Sequence, residues 1–277
     1  MRQAVSHKNP AYAVKQLRHN DKVAFKREVS NLKRFSKSDH LHLIKLLVTF
    51  NWREQFYLLF PWADGNLLDF WKRFNNPSYP ERNYNLALWF SQQCLGIAQG
   101  LKMIHRADIP SKSTNTPPGA PKYPIHGRHG DLKPENILWF KSYKGTEQSW
   151  DGVLKISDFG LTRFHGTQSI SQFEMSAVSP TYRAPEYDID TTTSQSYDIW
   201  SLGCVLLEFI TWYLLGWDGV DNFSKNRTKD DSREIREDVF FNFVIIKDQN
   251  AGLLTGARAK LSVASVSIRH YSCISLF

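Results

Sequence analysis

Cysteine is scarce in this chain of 277 residues. There are three, Cys94, Cys204 and Cys273, too few and too far apart for a disulfide scaffold or a zinc site, so a reduced intracellular compartment is expected. No basic segment followed by an apolar run opens the sequence, which argues against a secretory signal. Long hydrophobic runs are missing except for Trp200 to Trp217. That run contains Glu208 and follows Asp198, so a buried helix is expected and no membrane span. Residues 249–277 have no Asp, Glu, Pro or Trp, and no closing helix is legible there. No stripe of aromatics interleaved with basic residues supports nucleic-acid binding, despite a net charge of +8.

That charge is unevenly placed. Residues 1–60 carry 12 Lys/Arg against 4 Asp/Glu, and residues 61–277 balance at 23 each. Lys26, Arg27, Lys33 and Arg34 interleave with apolar positions, the pattern of a solvated helix face. With 42% hydrophobic and 14% aromatic residues the composition is that of a folded chain, long enough for one large domain or two lobes.

Residues 11–17 read as a strand ending near Lys15. A helix follows, because Phe25, Val29 and Leu32 recur at i, i+4 and i+7. Glu28 falls on that apolar face, where a carboxylate is costly without a cation, and Lys15 is the natural partner. Residues 43–50 and 55–60 read as strands, 61–66 as a connector, and 67–74 and 86–105 as helices. Six prolines and glycines between 107 and 127 (Pro110, Pro117, Pro118, Gly119, Pro121, Pro124) predict a mobile surface insertion with no core element.

The chemistry is concentrated in the next segment. Asn136 to Phe140 and Val153 to Ser157 are apolar runs separated by the turn signals Lys144-Gly145 and Asp151-Gly152, a hairpin pattern. An antiparallel pairing of these runs would set Asn136 and Asp158 side by side, about 5 Å apart at the backbone. Two hard oxygen donors of that kind suit Mg²⁺. Asp131 would then be near enough to take a proton from an incoming hydroxyl.

His129-Gly-Asp-Leu-Lys-Pro-Glu-Asn136, with Asp158-Phe-Gly160 after it, resembles the catalytic and metal-binding loops of eukaryotic protein kinases. The resemblance covers about residues 11–220. It implies an α+β, bilobal fold with a small β-rich N-lobe and a larger, mainly helical C-lobe. The implied division is an N-lobe at 1–60, a hinge at 61–66, a C-lobe at 67–248 and an atypical tail at 249–277. ATP and Mg²⁺ are the implied cofactors. Lys15 is similar to the lysine that grips the α and β phosphates, and Glu28 to its helix partner. Ala13, Phe60, Ala63 and Leu138 complete the implied nucleotide-binding set. Asp131 resembles the catalytic base, and Lys133 the lysine that serine/threonine kinases place two residues later. Asn136 and Asp158 resemble the metal ligands.

Downstream, Ala184-Pro185-Glu186 is similar to the end of an activation segment. Ser179 stands where a hydroxyl bridges base and lysine, and Tyr197 to Gly203 resembles the start of a central helix whose Asp198 anchors the catalytic loop. Leu32, Leu46, His129 and Phe159 fit a stacked apolar column.

Three departures qualify what this implies. Gly130 replaces the arginine that usually precedes the base, a form associated with a divergent, fungal-like group, and Arg128 is not expected to substitute for it. Only 14 residues precede Lys15, so an N-lobe truncated before the glycine-rich phosphate lid is expected. Losing two charge-assisted bonds from such a lid would weaken nucleotide binding by about 3–6 kcal/mol. The arginine that should pair with Glu186 is undetermined among Arg236, Arg258 and Arg269. The principal reading is phosphoryl transfer to Ser/Thr hydroxyls of protein substrates. A catalytically impaired scaffold and a small-molecule phosphotransferase are the alternatives. No nucleic-acid or membrane partner is expected, and the oligomeric state is open.

Overall fold

The computed structural model describes residues 11–17, 22–36, 39–75, 84–107, 125–141, 151–159, 163–165, 171–172, 179–190, 192–248 and 252–274. In chain order these hold β1 (Tyr12–Gln16), α1 (Lys22–Ser36), β2 (Val48–Trp52), β3 (Gln55–Pro61), β4 (Gly65–Asn66), α2 (Leu67–Arg73) and α3 (Tyr84–His105). The short strands β5 (Arg106–Ala107) and β6 (Ile125–Arg128) follow, then β7 (Ile137–Lys141), β8 (Gly152–Ile156), β9 (Arg163–His165) and β10 (Ser171–Gln172). The last part contains α4 (Pro185–Asp190), β11 (Thr192–Thr193), α5 (Gln195–Lys229), β12 (Phe241–Asp248), β13 (Gly252–Ala259) and α6 (Leu261–Ile274). The fold is α+β, with its larger sheets early in the chain and its helices concentrated late. Two compact units result: residues 1–67, 92–129 and 134–166, and residues 68–91, 130–133 and 167–277.

In the first unit β1, β3 and β2 form an antiparallel sheet in that order. Its two faces differ. Leu58 is fully buried, while Tyr12, Val14, Val48, Phe50 and Trp52 are exposed. Helix α1 is held against the sheet by Phe25, whose ring stacks on Phe56 at 4.2 Å. Val29 and Leu32 are buried on the same helix, and Lys26 and Lys33 are solvated, as the periodicity predicts. A second sheet, β4-β7-β8, buries Ile137, Trp139, Leu154 and Ile156. Helix α3 reaches it through Gln93, whose Oε1 accepts the Leu154 N–H at 2.9 Å.

Two expectations change here. Residues 43–50 are not one strand. Leu43 makes a single parallel bridge to Ile156, and the Ile44 N–H bonds to the Ile156 carbonyl at 2.9 Å, so this stretch serves the second sheet before β2 begins at Val48. The ends of the expected insertion are strands. Arg106–Ala107 and Ile125–Arg128 pair as β5 and β6, and β6 pairs with β9, while Pro110, Pro117, Pro118, Gly119, Pro121 and Pro124 lie outside the described residues.

The second unit is built around α5. Asp198, Glu208 and Arg227 are buried along it, and each is bonded within the protein. Its apolar length would suffice to cross a membrane. Its aromatic residues are spent instead on a protein core: Phe209 and Trp212 pack with Phe70, Trp71 and Trp89. The Trp212 Nε1–H donates to the carbonyls of Trp71 and Phe74 at 3.2 and 3.0 Å. Gly216, at φ 72°, breaks the helix.

The tail is not featureless. β12 and β13 form a hairpin, and α6 follows Lys260, whose ammonium is buried against the carbonyl of Arg227 (2.7 Å) and the carboxylate of Asp231 (2.8 Å). Sequence reading missed this helix because its face is marked by valines and serines and not by capping acids.

Candidate active site

The first unit assembles a lysine between two carboxylates. On β1 alternate side chains share a face, so Lys15 and Ala13 point the same way; Ala13 is the register partner of Phe60. Lys15 Nζ donates to Glu28 Oε1 at 2.9 Å and to Asp158 Oδ1 at 2.8 Å. Burial disfavours the ammonium, but the charges of Asp158 and Glu28 outweigh it and hold the Lys15 pKa above its ordinary value. Glu28 is buried and its charge is met, as the helix periodicity requires.

Asn136 ends a 3-10 turn, Pro134–Asn136, and is buried at the entrance to β7. Its expected pairing is off by one residue. The β7–β8 register sets Ile137 opposite Ile156, and the Asn136 carbonyl accepts both the N–H (2.8 Å) and the hydroxyl (2.9 Å) of Ser157. Asp158 is therefore the first residue past the ladder. Its φ of 60°, a conformation aspartate tolerates, turns the chain out of the strand. Its carboxylate remains half-exposed. Phe159 then returns to the interior, where the His129 ring meets it edge-on at 5.5 Å. His129 Nε2 lies 2.9 Å from the Ser157 carbonyl, which can only accept, so Nε2 carries a proton. Leu32, His129 and Phe159 are buried and Leu46 half-buried. Ala63 and Leu138 are half-buried too, at the β4–β7 pair, where Asn66 faces Leu138 and the Asp64 N–H bonds to the Trp139 carbonyl.

The second unit holds the other group. Asp131 and Lys133 pair at 2.9 Å, and Lys133 Nζ also donates to Ser179 Oγ at 2.6 Å. Gly130, just before them, adopts φ 87°, a value open to glycine and strained for arginine. Its N–H donates to Asp198 Oδ1 at 2.9 Å. Asp198 is fully buried in the first turn of α5, which Ser194 caps by accepting the Ser196 N–H. Burial, with the charges of Asp131 and Asp198 nearby, pushes the Tyr197 phenol far above its ordinary pKa.

Among the described residues Glu186 pairs with no arginine. Its Oε1 accepts the Ser196 hydroxyl at 3.2 Å, while Arg236 and Arg258 are exposed and the Arg269 side chain lies outside the described residues. Arg128 is buried.

Sequence reading also missed a buried ionic cluster. Glu208 accepts from Tyr182 and from Arg227, and Arg227 is held by Asp238. The signal was present: a carboxylate in an apolar run demands a cation, the argument that led from Glu28 to Lys15.

Comparison with known proteins places this chain. The pattern described as "Protein kinase domain" matches residues 1–251. A "Probable cell division protein kinase" of Encephalitozoon cuniculi (strain GB-M1) is 29% identical, over 72% of this chain and 61% of its own length. "Cyclin-dependent kinase-like 4" of Mus musculus is 27% identical over 72% of this chain and 48% of its own. "Serine/threonine-protein kinase ICK" of Mus musculus is 30% identical over 67% and 23%. The chain belongs to the protein kinase family, eukaryotic type, and it spans between 23% and 61% of the length of these relatives.

Proposed function

We propose that this chain transfers the γ-phosphoryl group of ATP to serine or threonine hydroxyls of protein substrates. The observation that carries the reading is Lys133, bonded at once to Asp131 and to the Ser179 hydroxyl. A cation placed there neutralises a phosphoryl group arriving beside the base, and Ser179 fixes where the cation stands.

Each further role follows from chemistry. Lys15, kept fully charged by its neighbours, binds phosphate oxygens. Asp131 accepts the proton of the substrate hydroxyl as its oxygen bonds to the γ-phosphorus. The bond from that phosphorus to the bridging oxygen breaks, and ADP leaves. Mg²⁺ fits the donor set: Asp158 offers a half-exposed carboxylate and Asn136 an amide oxygen, hard ligands few enough to leave coordination positions for phosphate. When bound, the ion neutralises charge on the transferring phosphates. Cys94 and Cys204 are free thiols, which supports an intracellular setting.

Asp131→Asn tests the assignment. Turnover on a protein substrate should fall by about 10² to 10⁴-fold, the span of a general base. Unchanged turnover would sink it.

A further inference from the structure

Arg227 lies 19 residues after Glu208 on α5, about 28 Å along a straight helix, yet its Nη2 touches Glu208 Oε1 at 2.6 Å. The break at Gly216 folds the last turns back and makes the contact. Arg227 is fully buried against the rings of Phe223 and Phe240, at 4.2 and 4.0 Å, and Asp238 holds its Nε at 2.6 Å. The other Glu208 oxygen, Oε2, accepts the Tyr182 hydroxyl at 2.7 Å. Tyr182 belongs to the segment Ser179 to Arg183, and the Ser201 hydroxyl bonds to its carbonyl at 2.8 Å. Ser179, three residues earlier, is the partner of Lys133.

We infer that Arg227 is a positioning residue for the protein substrate, acting through Glu208 and Tyr182 on residues 179–183. This rests on the proposed transfer to proteins. Burial raises the Glu208 pKa above its ordinary value, and the Arg227 charge and the hydrogen bonds from Tyr182 and Arg227 offset only part of that rise. A Glu208 that remains a carboxylate only accepts, so the Tyr182 hydroxyl has one direction to point. The segment is then tied at Ser179 to Lys133 and at Tyr182 to α5, and both ties lie within the second unit. The Lys15–Glu28–Asp158 group belongs to the first unit, so the cluster should govern protein substrate and not nucleotide.

Tyr182→Phe removes one hydroxyl and keeps the ring; Arg227→Lys keeps the charge and loses the two-toothed grip. With dephosphorylated casein as probe, each variant should raise the KM for casein about tenfold, the weight of a hydrogen bond to a charged group. The KM for MgATP should stay within about twofold, and any fall in kcat, carried through Ser179 and Lys133, should be smaller than the rise in the casein KM. The double variant should be no worse than the poorer single one, because both act along one line. Amides of residues 179–183 should exchange hydrogen faster in both variants, and those of β7 and β8 should not.

An unmoved casein KM, an equal rise in the MgATP KM, or additive effects would each overturn the inference. If Arg227→Lys does not fold, Tyr182→Phe alone decides. A wild-type chain without transfer activity would overturn the proposed function and the substrate role with it, and the exchange measurement would then decide only whether Arg227 holds residues 179–183.

Discussion

Lys15 answers for two carboxylates at once, and the two are unlike. The Glu28 side chain is nearly buried, at 8% exposure, while that of Asp158 is half in solvent. Removing the cation therefore harms Glu28 more. Lys15→Met should cost about 1–2 kcal/mol in urea unfolding, below the full penalty of a buried orphan because Lys15 is partly solvated. Adding Glu28→Leu should recover part of that stability without recovering activity. Recovery of both would exclude a role for the lysine in phosphate binding. The raised Lys15 pKa gives the pairing a direction in pH: its contribution is complete below the ordinary lysine value and is lost as pH rises through the raised one. Glu28 and Lys15 were legible as a pair because a carboxylate on an apolar stripe is a local anomaly. Arg227 was not, because the break at Gly216 that brings it to Glu208 has no counterpart in periodicity.

Among the elements, α3 and α5 each carry a glycine with a different consequence. A Cβ on Gly96 would stand 2.0 Å from His42 Nε2, and that ring is buried with Nδ1 bonded to the Leu154 carbonyl. A Cβ on Gly203 would meet nothing within 4 Å. Gly96→Ala should thus lose about 1–3 kcal/mol by overpacking. Gly203→Ala should gain up to about 1 kcal/mol from helix propensity. Thermal melts of the two variants read both, and the same sign for both would refute the packing argument. His42 ties α3 to the second sheet and is kept neutral. Burial lowers its pKa, and His40 and Lys155 nearby lower it further, against the Leu154 carbonyl. Protons then bind the unfolded chain more strongly, so this contribution is complete above about pH 6.5 and is lost as pH falls. The melting temperature should drop between pH 7 and 5, and less so in His42→Gln; an equal drop in both would place the titration elsewhere. Helix α1 and strands β1, β3, β7 and β8 could be read from period and turn chemistry. The early end of the 43–50 run could not, since Leu43 and Ile44 are claimed by Ile156, more than 100 residues away.

At the level of the whole molecule, thermal unfolding with and without millimolar MgATP reads whether the chain binds its nucleotide. A ligand at 100 times its Kd stabilises by about 2.7 kcal/mol, a shift of a few degrees. The transition should rise with MgATP and not with ATP plus chelator. A transition indifferent to both would count against the proposed reaction.

The sequence by itself determined the family, the order of the motifs and the residue types of the site. Those depend on local spacing: a base and a lysine two apart, a turn before a strand, a carboxylate on a helix face. Tertiary structure decided what spacing cannot carry. It set Asn136 opposite Ser157 instead of Asp158, because register follows from the turn and from which face each strand buries, and the spacing of the two motifs shows neither. It gave Glu186 a serine where an arginine was expected, and Glu208 the arginine. It also built the tail into a hairpin and helix anchored by the buried Lys260. Each of these is a partnership between groups distant along the chain. Burial makes the need for a partner visible in the sequence, but only the packed fold selects which one answers it.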